Sequence, residues 1–217
     1  MLRIETGCDD LLRVPVKSRS KRAALAKYLR SSGRWRECVE GMREVIVQYD
    51  TAVLDRVAAK ELLAEQMSHA PRKQMDRAPL IEIPVCYGGE FGPELTSIAE
   101  MLQADEQDVV AMHTQHRYVV ELIGFTPGFA YVSGLQDDLK VPRLSEPRQR
   151  VEPGSIGIAG GLTGLYALPG PGGWPLIGRT PLPLFRADEQ QPMLLQSGAK
   201  VRFVAIDAES FAELAGQ

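Results

Sequence analysis

The sequence predicts a two-domain α+β protein: a small α+β domain over residues 1–78, followed by a mostly β domain over residues 79–217. Three observations carry that reading. Helical periodicity recurs through the first third of the chain, a polar stretch without period interrupts it near residue 70, and after His113 a period of two takes over while glycine and proline accumulate. With 44% hydrophobic residues among 217, the chain holds enough apolar side chains to close a core in each part.

The first predicted helix starts after Ser18, where Ala24 with Tyr28 and Leu25 with Leu29 fall four apart and share one face. Val45, Val47 and Tyr49 then alternate with Ile46 and Gln48 in a β-branched run that predicts a strand ending at Asp50. A second helix is expected from Thr51 to about Met67, with Val53, Leu54, Val57, Ala58, Leu62 and Leu63 as its buried stripe. The domain boundary is expected between His69 and Ala78, which are polar and include a proline.

In the second domain, Leu80 to Val85 predicts a strand and Pro93 to Leu102 a helix that turns Leu95, Ile98, Ala99 and Leu102 inward. A short helix should start at Asp105, with Asp108 completing a capping box. Tyr118, Val120 and Leu122 then alternate with their neighbours as a strand. From Gly124 to Thr180 no helical period survives, and seven prolines and glycines lie between Pro169 and Gly178, so turns and short strands are expected there. A last strand over Val201 to Ile206 precedes a short amphipathic tail at Ser210 to Leu214.

Composition narrows the function. A formal net charge of -3 gives no global basic field of the kind that nucleic acid or an anionic membrane surface attracts, so neither is expected as a partner. Cys8, Cys38 and Cys86 are odd in number and widely spaced, which suits a reducing compartment, and the N-terminus has no apolar signal-peptide run. The protein is therefore expected to be cytoplasmic.

The residues most suited to chemistry lie in the second domain. His113 sits at a helix-to-strand junction and carries the imidazole that titrates near neutral pH, which makes it the candidate acid or base, with a structural histidine as the alternative. His116 follows three residues later, but no third ligand is apparent beside the pair, so no metal site is expected. Phe125, Pro127, Phe129 and Tyr131 lie on a glycine-punctuated segment and suit either the wall of an apolar pocket or core packing. Arg143, Arg148 and Arg179 offer paired donors in a planar fork, matched to carboxylate, carboxylated biotin or phosphate. Ser155 and Thr163 carry hydroxyls beside glycine and are binding candidates; no Gly-x-Ser-x-Gly elbow makes Ser155 a nucleophile. Trp174 ends Pro171-Gly-Gly-Trp174, whose adjacent glycines permit a tight loop under a broad flat ring. Cys86 has no neighbour in sequence that would activate it.

Three segments carry a resemblance to a known family: Ile83-Pro-Val-Cys-Tyr-Gly-Gly-Glu-Phe-Gly-Pro-Glu94; His113-Thr114 with Gly124-Phe-Thr-Pro-Gly-Phe-Ala-Tyr131; and a long block of arginine, glycine and proline. That block includes Pro142-Arg143, Pro147-Arg148, Pro153-Gly-Ser155, Thr163-Gly-Leu-Tyr166, Pro171-Gly-Gly-Trp174 and Gly178-Arg-Thr180. The chain resembles the family named for the B-type subunit of 5-oxoprolinase, the first subunit of allophanate hydrolase and the kinase inhibitor KipI. The resemblance implies a cyclophilin-like β-barrel for the second domain, without implying prolyl isomerase activity. It also implies a B-type subunit that opens 5-oxoproline to glutamate at the expense of ATP, together with a C-type and an A-type subunit, and is inactive without them. Allophanate or urea chemistry and inhibition of a sensor histidine kinase are the other functions found under the same resemblance.

Under the resemblance His113 is the catalytic candidate, and Phe125, Pro127, Tyr131, Arg143, Arg148, Ser155, Thr163, Tyr166, Trp174 and Arg179 are the substrate-binding candidates for a small amide. ATP enters through the resemblance alone, because no Gly-x-x-x-x-Gly-Lys-Ser/Thr loop occurs in the chain. Two departures from the family pattern bear on substrate choice: Leu162-Thr-Gly-Leu-Tyr-Ala167 stands where many members read Gln-Thr-Gly-Ile-Tyr-Pro, and Gly198-Ala199 replaces Gly-Asp.

Overall fold

The computed structural model describes residues 3–71 and 80–216. The chain divides into two compact units, residues 1–77 and 78–217. The boundary expected at residue 78 lies outside the described residues.

In the first unit, strands β1 (Glu5–Thr6), β2 (Leu11–Pro15), β3 (Glu37–Glu40) and β4 (Glu44–Gln48) form an antiparallel sheet in the order β1-β2-β4-β3. Alternation decides which face is covered. Leu12 and Val14 on β2 and Val45 and Val47 on β4 are buried, and they pack with Leu25, Ala26 and Leu29 of helix α1 (Arg19–Ser31). Helix α2 (Arg56–His69) starts later than the apolar pattern predicts. Asp55 caps it by accepting a hydrogen bond from Ala58 N at 2.8 Å, while Val53 and Leu54 belong to a preceding turn closed on Asp50 O. The expected stripe is therefore corrected in part: Val53 and Val57 are 76% and 66% exposed, whereas Leu54, Leu62 and Leu63 pack as expected and Ala59 joins them.

The second unit is built on seven strands: β5 (Leu80–Tyr87), β6 (Tyr118–Ile123), β7 (Ala130–Ser133), β9 (Ser155–Ala159), β10 (Leu162–Leu165), β12 (Leu176–Arg179) and β13 (Lys200–Ile206). They close into a barrel in the order β10-β7-β6-β13-β5-β12-β9. The last strand pairs in parallel with the first, from Lys200 opposite Leu80 to Ile206 opposite Cys86, so the two ends of the unit close its wall. A separate ribbon joins β8 (Arg148–Val151) to β11 (Gly170–Gly172).

Helices α3 (Leu95–Leu102) and α4 (Glu106–Thr114) fall between β5 and β6, and α5 (Ala208–Ala215) follows β13. Leu95, Ile98 and Ala99 of α3 are buried, and the Asp105–Asp108 capping box opens α4, both as the sequence predicts. Inward residues at alternate positions along the strands, including Ile83, Val85, Val120, Val132, Ile156, Ile158, Leu165, Val201 and Phe203, fill the barrel.

Candidate functional site

An open cleft of about 320 Å³ on the barrel unit is walled by five aromatic rings: Phe125, Phe129, Tyr131, Tyr166 and Trp174. Phe129 is the hub. Its ring meets Phe125, Tyr131, Tyr166 and Trp174 edge to face, with centroids 5.5, 4.8, 4.9 and 6.1 Å away. Two glycines make this packing possible. A Cβ on Gly164 would stand 2.8 Å from the Phe129 ring and 2.9 Å from the Trp174 ring, and one on Gly172 would stand 2.5 Å from the Tyr166 hydroxyl. Glycine therefore lets the rings rest directly on backbone.

Among the described residues, Arg143 supplies the one charge in the cleft lining. It is exposed, follows the short 3-10 turn Asp137–Leu139, and holds its guanidinium 5.9 Å from the Trp174 ring centroid. The neighbouring Leu144 N donates to Gly173 O at 2.8 Å, which ties the arginine loop to the tryptophan loop. Burial pushes the Tyr131 hydroxyl above its ordinary pKa, and the Arg143 charge partly opposes it. Burial likewise raises Tyr166, opposed by a backbone hydrogen bond from Trp174 and by Arg143. Both phenols stay protonated at neutral pH and keep a proton to donate.

Phe125 is 63% exposed yet takes a positive φ of 76°, a left-handed conformation unfavourable for a bulky side chain. The turn that imposes it is closed by Gly124 N to Phe129 O at 3.1 Å and Phe129 N to Thr126 O at 3.1 Å. Pro127 lies exposed on that turn, outside the cleft lining.

Arg148, Arg179 and Ser155 also lie outside the cleft lining. Arg148 pairs with Glu94, whose second carboxylate oxygen accepts from Leu176 N at 2.8 Å. The Arg179 guanidinium lies over the Phe91 ring, 5.7 Å from its centroid. Ser155 is 1% exposed, and its hydroxyl has no hydrogen-bond partner among the described residues.

His113 has a different place from the one expected of an acid or base. It is fully buried, with Nδ1 2.7 Å from the Tyr87 hydroxyl, Nε2 3.1 Å from Thr163 Oγ1, and its ring stacked on Phe203 at 4.4 Å. Burial lowers its pKa to about 3, so the imidazole is neutral at pH 7 and its hydrogen bonds link β5 to β10. Thr163 is fully buried with it rather than facing a ligand. His116 contacts Gln136, and among the described residues no three His, Cys, Asp or Glu side chains converge on a point a metal could occupy. Burial raises the Cys86 thiol, with Asp207 and Glu90 adding to the shift, so it has no activated-nucleophile character.

The structure thus gathers Phe125, Tyr131, Arg143, Tyr166 and Trp174, and leaves out Pro127, Arg148, Ser155, Thr163 and Arg179. The sequence leaves open whether Phe129 packs a core or walls a pocket; in the fold it does both. Leu144, which also lines the cleft, escapes a reading of the sequence, and Pro147, likewise in the lining, and Glu94, which fixes Arg148, stand there in the motifs without a role. The signal for Glu94 is its place as the carboxylate closing the Gly-Gly-Glu-Phe-Gly-Pro-Glu segment, in a domain rich in arginine.

The model of the carboxyltransferase domain, subdomain C and D, matches residues 9–195. A Bacillus subtilis protein named as the B-type subunit of 5-oxoprolinase is 48% identical over 132 residues, which is 61% of this chain and 55% of the relative, so the match spans just over half of that protein. A Haemophilus influenzae protein of the same name is 39% identical over 181 residues, 83% of this chain and 84% of the relative. Among solved structures, TTHA0988 aligns with a TM-score of 0.79 at 28% identity, over 96% of this chain and 40% of its own. The Kluyveromyces lactis urea amidolyase shares the fold, with a TM-score of 0.76 at 17% identity over 98% of this chain and 15% of its own. A family match over most of the chain, on a barrel that puts several of the matching motifs round one aromatic cleft, makes this chain a member of the carboxyltransferase domain, subdomain C and D, family.

Proposed function

We propose that this chain is the B-type subunit of an ATP-dependent 5-oxoprolinase, binding 5-oxoproline in the aromatic cleft while C-type and A-type subunits complete the site. The observation that carries the reading is the pairing of flat aromatic walls with a single arginine in a cleft of about 320 Å³. 5-Oxoproline is a small lactam ring bearing one carboxylate. The guanidinium of Arg143 offers that carboxylate a charged fork, the exposed Phe125 ring covers a face of the lactam, and the protonated Tyr131 phenol offers a donor to its amide oxygen. The names of the relatives support the same assignment.

Opening the lactam adds water across its C–N bond, giving a carboxylate and an amine. Among the described residues no carboxylate, histidine or thiol lines the cleft, so this chain binds and orients the substrate and the partner subunits bring the base or nucleophile. The chain lacks a P-loop, and the relatives' name makes it one subunit of several, so the nucleotide is assigned to a partner subunit. The compartment proposed is the cytoplasm, in keeping with three free cysteines; among the described residues no helix is long and apolar enough to cross a membrane.

The test is glutamate release from 5-oxoproline and ATP by this chain alone, by the A-type and C-type subunits without it, and by the full mixture. Activity confined to the full mixture supports the reading. Absence of glutamate from every mixture refutes it.

A further inference from the structure

We infer that Arg179 and Ser155 form an oxyanion subsite on the outside of the barrel, separate from the aromatic cleft and suited to a phosphate or carboxylate group. Strand register brings the first two together. Arg179 on β12 lies directly opposite Ser155 on β9. Their neighbours Gly178 and Ile156 face inward: Ile156 is fully buried in the barrel core, and a Cβ on Gly178 would stand 2.6 Å from Val85 Cγ1 in the same core. Ser155 and Arg179 therefore share the outward face, where directly opposed Cβ atoms stand roughly 4.5 to 5.5 Å apart.

Orphaned donors mark the place. Among the described residues of the barrel unit, the buried side-chain nitrogen and oxygen atoms without a partner are Arg148 Nε, Ser155 Oγ and Arg179 Nε, and all three carry a proton to give. Two of them adjoin: Ser155 pairs across from Arg179, whose guanidinium lies over the Phe91 ring. Buried donors without acceptors are costly, and an oxyanion between Arg179 and Ser155 supplies acceptors to both.

Arg179 has no ion-pair partner among the described residues: Glu94 pairs with Arg148, and Glu152, which feels the Arg179 charge, is tied to Arg150 at 2.8 Å. The Arg179 guanidinium lies over the Phe91 ring, and its paired donors suit a bidentate acceptor. A backbone link ties the subsite to the cleft, where Tyr166 N donates to Ser155 O at 3.0 Å.

The test is calorimetric titration of inorganic phosphate and, separately, acetate into the full chain at low ionic strength. Saturable binding of phosphate alone assigns the subsite to a phosphate group, and equal binding of acetate assigns it to oxyanions in general; both support the subsite. Arg179→Gln should weaken phosphate binding at least about tenfold, Arg179→Lys should fall between, and Ser155→Ala should weaken it several-fold, with melting curves confirming that each variant is folded. Arg143→Gln should leave phosphate binding intact while weakening that of 5-oxoproline at least about tenfold, so the subsite and the substrate reading stand or fall separately. No saturable binding of either anion, or phosphate binding that survives Arg179→Gln, or phosphate binding lost with Arg143→Gln, overturns the inference.

Discussion

Phe125 and His113 show two ways in which a single side chain acts through its setting. Phe125 holds a positive φ while its ring walls the cleft and stays mostly in water, so its backbone strain, about 1 kcal/mol, is sustained without a core contact that needs it. Removing the ring should separate the two effects. Phe125→Gly should melt above Phe125→Ala because glycine accepts the left-handed conformation, while both variants bind 5-oxoproline more weakly than the parent chain. Equal melting temperatures would show that the backbone carries no such strain. His113 predicts a pH dependence. Its pKa is about 3 in the folded chain against 6.5 for the free side chain, so below pH 6.5 the unfolded chain binds the extra proton. Stability is full above that value and is lost as pH falls towards 3, by about 1.4 kcal/mol per pH unit from this residue. Urea midpoints between pH 7 and 4 should show the slope, and His113→Gln should flatten it. The sequence marks His113 as a residue of interest but not its burial, because Tyr87, Thr163 and Phe203 reach it from three strands far apart in the chain.

Helices and strands with their own local signal are legible in the sequence. The first helix is visible from its spacing and the capping box of α4 from Asp105 and Asp108, whereas the apolar pattern sets α2 too early because it runs through the turn before the Asp55 cap. The strands of three to five residues between Arg148 and Arg179 have no readable period, since their pairing is set by partners across the barrel and by glycines that admit side chains from neighbouring segments. Gly164 on β10 is the most telling of these for function. Gly164→Ala should displace the Phe129 and Trp174 rings, lowering affinity for 5-oxoproline and quenching or shifting Trp174 fluorescence while the far-ultraviolet dichroism of the barrel persists. An unchanged affinity would mean that the rings are not seated on this strand for binding.

Across the molecule as a whole, the matching motifs make the fold class and the family legible in the sequence, and the structure adds how those motifs are divided. Five of the residues predicted to bind substrate meet in the cleft, while Arg148, Arg179 and Ser155 stand apart with unpaired donors. Sequence order does not show this division, because Arg143 and Arg148 are five residues apart yet take different partners: one lies over Trp174 and the other pairs with Glu94. Under the proposed function, a cleft lined by one cation and, among the described residues, by no carboxylate, histidine or thiol draws its chemistry from the partner subunits.

The decisive measurement is the steady-state rate of ATP-dependent glutamate formation from 5-oxoproline by the three-subunit mixture, with the parent chain and with Arg143→Gln. Turnover is expected only when this chain is present, with a KM for 5-oxoproline raised at least about tenfold by the substitution as the carboxylate loses its charged partner. Full activity with an unchanged KM in Arg143→Gln would contradict the placement of substrate in the aromatic cleft.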